Sequence, residues 1–183
     1  MHRRLILIAL ALLLAGCASL PPPAPPARLG LRLAPAALGE RIAVQQHLQV
    51  ERAGRIDELD AALEVDADQL QLVGLAFGQR VLTVAYDGRT LTSWRHPMLP
   101  AQVRADDVLE DIQLALWPLA AIRAALPPGW QIEDDGLRRT VSMHGVIFSV
   151  IEVSKLPRWQ GNITLENRRY QYRLTIQSAP TSS

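Results

Sequence analysis

The chain has 183 residues, with 19 basic against 18 acidic side chains and a formal net charge of +1. That balance supplies no electrostatic drive toward a polyanion, so nucleic acid is not an expected partner. Cys17 is the lone cysteine; an intramolecular disulfide and a cysteine-rich zinc site are both excluded, and the fold must rest on its apolar core.

Arg3 and Arg4 precede an apolar run from Leu5 to Ala15, and Leu14-Ala15-Gly16-Cys17 closes it. The run is shorter than the ~20 residues of a bilayer span, and the small residues before the cysteine suit a cleavage site. The order resembles the signal of the bacterial lipoprotein family. That resemblance implies cleavage before Cys17, a diacylglycerol on its thiol and an acylated amino terminus. Ala18, where Asp would imply retention in the inner membrane, implies delivery to the outer membrane with the domain on its periplasmic face. Three acyl chains, at roughly 0.8 kcal/mol per buried methylene, make such an anchor permanent. The chain then divides into a cleaved signal (1–16), a lipidated cysteine with a Pro-rich tether (17–38), one folded domain (39–178) and a frayed tail (179–183). Pro21-Pro22-Pro23 and Pro25-Pro26 favour an extended spacer.

From Glu40 the pattern turns to period two. Ile42, Val44, Leu48 and Val50 alternate with polar residues, as do Leu59, Ala61, Leu63 and Val65; both segments read as half-buried antiparallel strands. Residues 69–77, 80–86 and 89–95 give three more, with Asp87-Gly88 predicting a type I′ turn. After His96-Pro97 the period lengthens. Asp107-Val108-Leu109-Glu110 has the form of a capping box opening a helix that runs to Trp117. Pro118 fits the first turn of a second helix that ends at Pro127-Pro128-Gly129. Five further strand segments follow, the last carrying Tyr170, Tyr172, Leu174 and Ile176 on one face. Strands, helical pair, strands, with no βαβ alternation, predict an α+β fold: about ten strands forming a curved antiparallel half-barrel around the helices.

Known catalytic patterns are missing. There is no G-x-S-x-G, no H-E-x-x-H and no phosphate-binding glycine loop. His47 reads as solvated on a polar strand face, while His96 and His144 stand in loops without a neighbouring nucleophile. Asp106, Asp107, Glu110 and Asp111 suit the positive end of a helix dipole better than acid–base or metal chemistry. Glu133-Asp134-Asp135 reads as a solvated approach to a turn. The expectation is a protein without catalysis, metal or cofactor.

Apolar groups are in surplus. Leu114 to Ile122 lacks any charge and is oily nearly all round, so it is either deeply buried or faces something apolar. A cavity lined by Leu114, Leu116, Trp117, Ile122, Phe148 and Val150 would suit an acyl or polyene chain. The layout resembles the LolA/LolB type of lipoprotein carrier, an open half-barrel lidded by helices. More narrowly, Val108-Leu109-Glu110-Asp111-Ile112-Gln113-Leu114-Ala115-Leu116-Trp117-Pro118 resembles a signature of small lipoproteins encoded in aryl polyene biosynthesis clusters. These resemblances imply an outer-membrane lipoprotein that binds a lipid or acylated cargo and assists its insertion, with a soluble periplasmic carrier as a further partner. Phe77, or Met98 with Leu99, would then form the loop that meets membrane or cargo. The alternative is a structural adaptor with a filled core that docks a protein.

Overall fold

Alternating apolar side chains can be buried on one face only, so each strand pairs with its chain neighbour and the apolar faces merge. In the computed structural model, which describes residues 29–180, the strands are β1 (Ile42–Arg52), β2 (Arg55–Val65), β3 (Leu70–Ala76), β4 (Gln79–Tyr86), β5 (Leu91–Arg95), β6 (Trp130–Asp134), β7 (Arg138–Met143), β8 (Val146–Val153), β9 (Ile163–Asn167) and β10 (Tyr172–Pro180). They form one ten-stranded sheet in the order β5-β4-β3-β2-β1-β10-β9-β8-β7-β6, and every neighbouring pair is antiparallel. Two five-stranded meanders are thus joined where β1 meets β10.

Helices α1 (Ala105–Leu116) and α2 (Leu119–Ala125) link the meanders. Laid flat, ten strands about 4.8 Å apart would hold β5 and β6 some ~43 Å from each other, whereas twelve helical residues reach only about 18 Å. Yet α1 contacts β5 and α2 contacts β6. The sheet therefore curls around the helices as an open, curved half-barrel. Its core brings Ile42, Val44, Leu63 and Val65 of the first meander and Val141, Ile151 and Leu165 of the second against Leu109, Leu114, Trp117 and Ile122.

The folded unit begins earlier than the expected boundary at residue 39. Leu29, Leu31, Leu33, Pro35 and Leu38 are buried. Leu-Gly-Leu-Arg-Leu is itself a period-two run, and its leucines lie in the same core cluster as the strands. The tether can therefore extend no further than residue 28. The frayed tail is also corrected: Ala179 and Pro180 pair with Gln45 and Val44 of β1. Cys17, the signal and residues 181–183 lie outside the described residues.

Two local expectations fail for identifiable reasons. Arg104, not Asp107, stands at the N-cap of α1, without a side-chain cap bond; Asp107 lies inside the helix, and Glu110 bonds Gly30 and Arg169 rather than closing a capping box. Asp87-Gly88 is not type I′: only Gly88 has positive φ. Instead the Asp87 carboxylate accepts the amides of Arg89 and Thr90 at 2.8 and 2.6 Å, an Asx turn.

Antiparallel register sorts the turns to two ends of the half-barrel. The lower end holds Asp66–Gln69, Asp87–Thr90 and Asp135–Arg138. The upper end holds Ala53-Gly54, Phe77-Gly78, His144-Gly145, the β9–β10 turn and the start of the β5–α1 loop.

Candidate functional site

Helix α1 lies across the concave face, and its polar side chains turn inward. The Gln113 side chain is fully buried. It accepts the Leu33 amide at 3.1 Å and donates to the Leu33 carbonyl at 2.8 Å, as a neighbouring strand would. Trp117 Nε1 donates to the Ala34 carbonyl at 3.1 Å. One Glu110 oxygen accepts the Gly30 amide at 2.9 Å, and the other accepts Arg169 Nη2 at 2.6 Å. Arg32 pairs with Asp106. The stretch from Val108 to Pro118 thus clasps the entering chain and closes Leu29, Leu31 and Leu33 against the core.

Asp111 sits beside this clasp, 8 % exposed. One carboxylate oxygen accepts the Tyr172 hydroxyl, and the other has no hydrogen-bond partner among the described residues. Burial pushes the Asp111 carboxyl up to about 7; the Tyr172 hydrogen bond and the Arg169 charge oppose this, and the charges of Glu110 and Asp107 add to it. Burial and the adjacent Asp111 charge raise the Tyr172 phenol. Glu110 and Asp111 are therefore internal groups with specific partners, beyond the helix-dipole role expected.

The far end of α1 is held by an arginine that the sequence pattern does not single out. Arg139 Nη1 donates to the carbonyls of Leu114 and Trp117, each at 2.8 Å, placing a cation at the negative end of the helix dipole. Its Nε reaches Asp134 at 2.6 Å, and Arg158 Nη2 joins the same carboxylate at 3.1 Å. Asp134, expected in solvent, is buried between the two guanidiniums. Burial alone would raise its carboxyl, but the hydrogen bonds from Arg139 and the Gly136 amide and the two guanidinium charges hold it below the usual range.

Exposed apolar side chains gather at the upper end. Ile56, Leu75, Phe77, Trp94, Met98, Val146 and Ile147 stand there, against Leu137 and Leu156 at the lower end. Phe77 is the extreme case. Its side chain is 92 % exposed, and its backbone is left-handed at φ 52°. An exposed ring gains nothing from burial, and a left-handed L-residue costs roughly 1–2 kcal/mol. Nothing in the fold requires phenylalanine at this tip. Met98 is likewise exposed, while Leu99 packs partly against the core.

The six residues expected to line a cavity separate. Leu114, Trp117 and Ile122 are at most 1 % exposed and closed into the core. Leu116 and Phe148 pack on the core's margin, Phe148 with its ring 5.0 Å from that of Trp130. Val150 is buried but alternates with Ile151, which belongs to the core cluster; strand periodicity turns it to the opposite face. None of the six lines either of two surface clefts, one of about 280 Å³ between β5 and the start of α1 and one of about 640 Å³ beside Arg138 and Glu152.

The three histidines among the described residues are engaged locally. His47 Nδ1 lies 2.9 Å from Asp60 on the exposed face, His96 Nδ1 accepts the Met98 amide at 3.1 Å, and the Gly129 backbone packs against the His144 ring. Among the described residues no group of three or more His, Cys, Asp or Glu side chains is placed to hold a metal ion.

No curated protein matches the chain. A family model described as "Protein of unknown function (DUF3261)" matches residues 43–180, from the first core strand to the end of the last, and the chain belongs to that family.

Proposed function

We propose that this is a non-enzymatic lipoprotein, anchored through Cys17 on the periplasmic face of the outer membrane, whose upper end engages a lipid or acyl chain and assists its transfer into that membrane. The observation that carries the reading is Phe77, fully presented to solvent in a left-handed turn that disfavours it. Residues Met98 and Trp94 widen the same apolar end. The entering chain supports it too, for Gly30 lies at Glu110, which holds Arg169 of the upper β9–β10 turn. Cys17 stands twelve positions before Leu29, so the intervening chain can span at most about 43 Å. A carrier of the LolB type, with an aryl polyene lipid as cargo and a soluble periplasmic donor, is the finer form of this proposal.

The filled core favours a second reading. Closure around Trp117 and Ile122 leaves those side chains no room for cargo, and an adaptor would use the same upper end to dock a protein.

Flotation with phosphatidylcholine vesicles tests the first reading, using the mature chain with Cys17→Ala so that the anchor contributes nothing. Inserting one phenyl ring is worth about 1.5–3 kcal/mol. Phe77→Asn should therefore weaken vesicle binding roughly tenfold to hundredfold, and Met98→Ser should weaken it less. Wild-type chain that fails to float, with Phe77→Asn instead abolishing capture of a protein partner, would favour the adaptor.

A further inference from the structure

The cleft between β5 and the start of α1 combines two chemistries. Leu82, Ala101 and Val103 form an apolar floor, while Arg95, Arg104 and Ser93 supply polar walls in a space of about 280 Å³. Arg95 donates one guanidinium nitrogen to the Leu99 carbonyl at 2.7 Å and has no carboxylate in ion-pair reach among the described residues. Arg104 makes only long contacts, 3.6 Å to Asp106 and 3.9 Å to Asp107. Asp106, the one carboxylate in the wall, is drawn toward Arg32 on its other side. Burial would raise its carboxyl, but the hydrogen bond and charge of Arg32 and the Arg104 charge together hold it below the usual range. Three guanidiniums thus meet two carboxylates here, with the guanidinium of Arg95 left to a partner from outside.

We infer that this cleft binds the oxyanion head of an amphiphile, a carboxylate or phosphate monoester carrying one long apolar chain. The planar guanidiniums offer paired donors for such a group. The Leu99 carbonyl meets Arg95 of the cleft, its side chain packs partly against the core and Met98 stands exposed at the upper end, so the chain would run from head to rim along these residues. A free anion would use the arginines but not the floor. The inference rests on the proposed lipid function and names its ligand class.

Titration of the Cys17→Ala mature chain with oleoyl lysophosphatidate, monooleoylglycerol and inorganic phosphate separates the possibilities. The lysophosphatidate should bind saturably and at least tenfold more tightly than the uncharged glyceride, and inorganic phosphate should not compete at tenfold excess over the lipid. Arg95→Gln with Arg104→Gln should remove that tenfold preference, and Arg104→Gln alone, at an exposed side chain with only long contacts, should reduce it while leaving phosphatidylcholine flotation and thermal stability unchanged. Equal affinity for charged and uncharged amphiphiles, an unaltered preference in the double variant, or displacement by inorganic phosphate would each overturn the assignment. Failure of wild-type flotation alone would sink the rim reading while the lysophosphatidate arm still decided the cleft.

Discussion

The two ends of the sheet solve the same problem, reversing a strand, with opposite chemistry. At the lower end an aspartate leads each of the three short hairpin turns, Asp66–Gln69, Asp87–Thr90 and Asp135–Arg138. The carboxylates of Asp66, Asp87 and Asp135 each accept two backbone amides. Those bonds favour the charged form: Asp66 and Asp87 are held below the usual carboxylate range, first by the amides of Gln69 and Thr90. At the upper end three two-residue turns pair a left-handed Ala53, Phe77 or His144 with glycine. No side-chain oxygen supports them, and around them stand most of the exposed large apolar groups. One end is built for stability, and the other carries residues that stability would replace. Mutations at the lower end should therefore change folding, and those at the upper end binding.

The largest expected effect is at the lower end. Arg139→Ala would leave Asp134 short of one of its two guanidinium partners and the carbonyls of Leu114 and Trp117 without their donor. Breaking a buried charge pair costs about 3–5 kcal/mol. Denaturant unfolding should show a loss of this size, with vesicle binding per folded molecule unchanged. A loss under about 1 kcal/mol would mean that Arg158 alone can hold Asp134.

Next comes a pH dependence centred near the upper end. Burial pushes the Asp111 carboxyl up to about 7 in the fold, against about 3.8 for an unburied aspartate. Below pH ~4 both states hold the proton and its contribution to stability is complete. Between pH ~4 and ~7 the unfolded chain loses the proton while the fold retains it, so stability falls with rising pH by at most about 1.4 kcal/mol per unit. Above pH ~7 the slope vanishes. Asp106 and Asp134, both lowered, act in the other direction, and their contributions disappear as pH drops below ~4. Stability should peak in mildly acidic solution. Asp111→Asn should flatten the fall between pH 5 and 7; an unchanged slope would assign it to another group.

Much of this architecture is legible in the sequence because strand alternation is a local signal. Ile42-Ala-Val44 or Tyr172-Arg-Leu174 reveals its buried face without knowledge of its partner. The turns at Gly54, Gly78 and Gly145 are legible for the same reason. What escapes is long-range. Leu29-Gly-Leu-Arg-Leu33 alternates as cleanly as β1, but the prolines on both sides make it read as spacer. Gln113 as a surrogate strand partner, and Arg139 as the cap of a helix 22 residues earlier, depend on contacts between distant segments. The cavity expectation failed at Trp117 and Ile122 because an uncharged helix face is equally suited to a closed core, and the entering leucines supply that closure. Phe77 was readable as an apolar loop residue; its left-handed backbone was not.

The smallest effect is the most diagnostic, because its sign differs between the ends. Asn tolerates left-handed backbone, and Asn-Gly is the favoured pair for a two-residue hairpin turn. Phe77→Asn should therefore stabilise the fold by up to about 1 kcal/mol, since the exposed ring has little packing to lose. The lower-end counterpart, Asp87→Ala, removes the acceptor of two amides and should lower the thermal midpoint. The two sites lie on turns at opposite ends of β4 and share no partner, so their effects should add in the double variant. A gain in thermal midpoint that accompanies lost vesicle binding would separate the role of Phe77 from any role in folding. Destabilisation by Phe77→Asn would instead make the ring a structural element of its hairpin and remove the main support for a lipid-facing upper end.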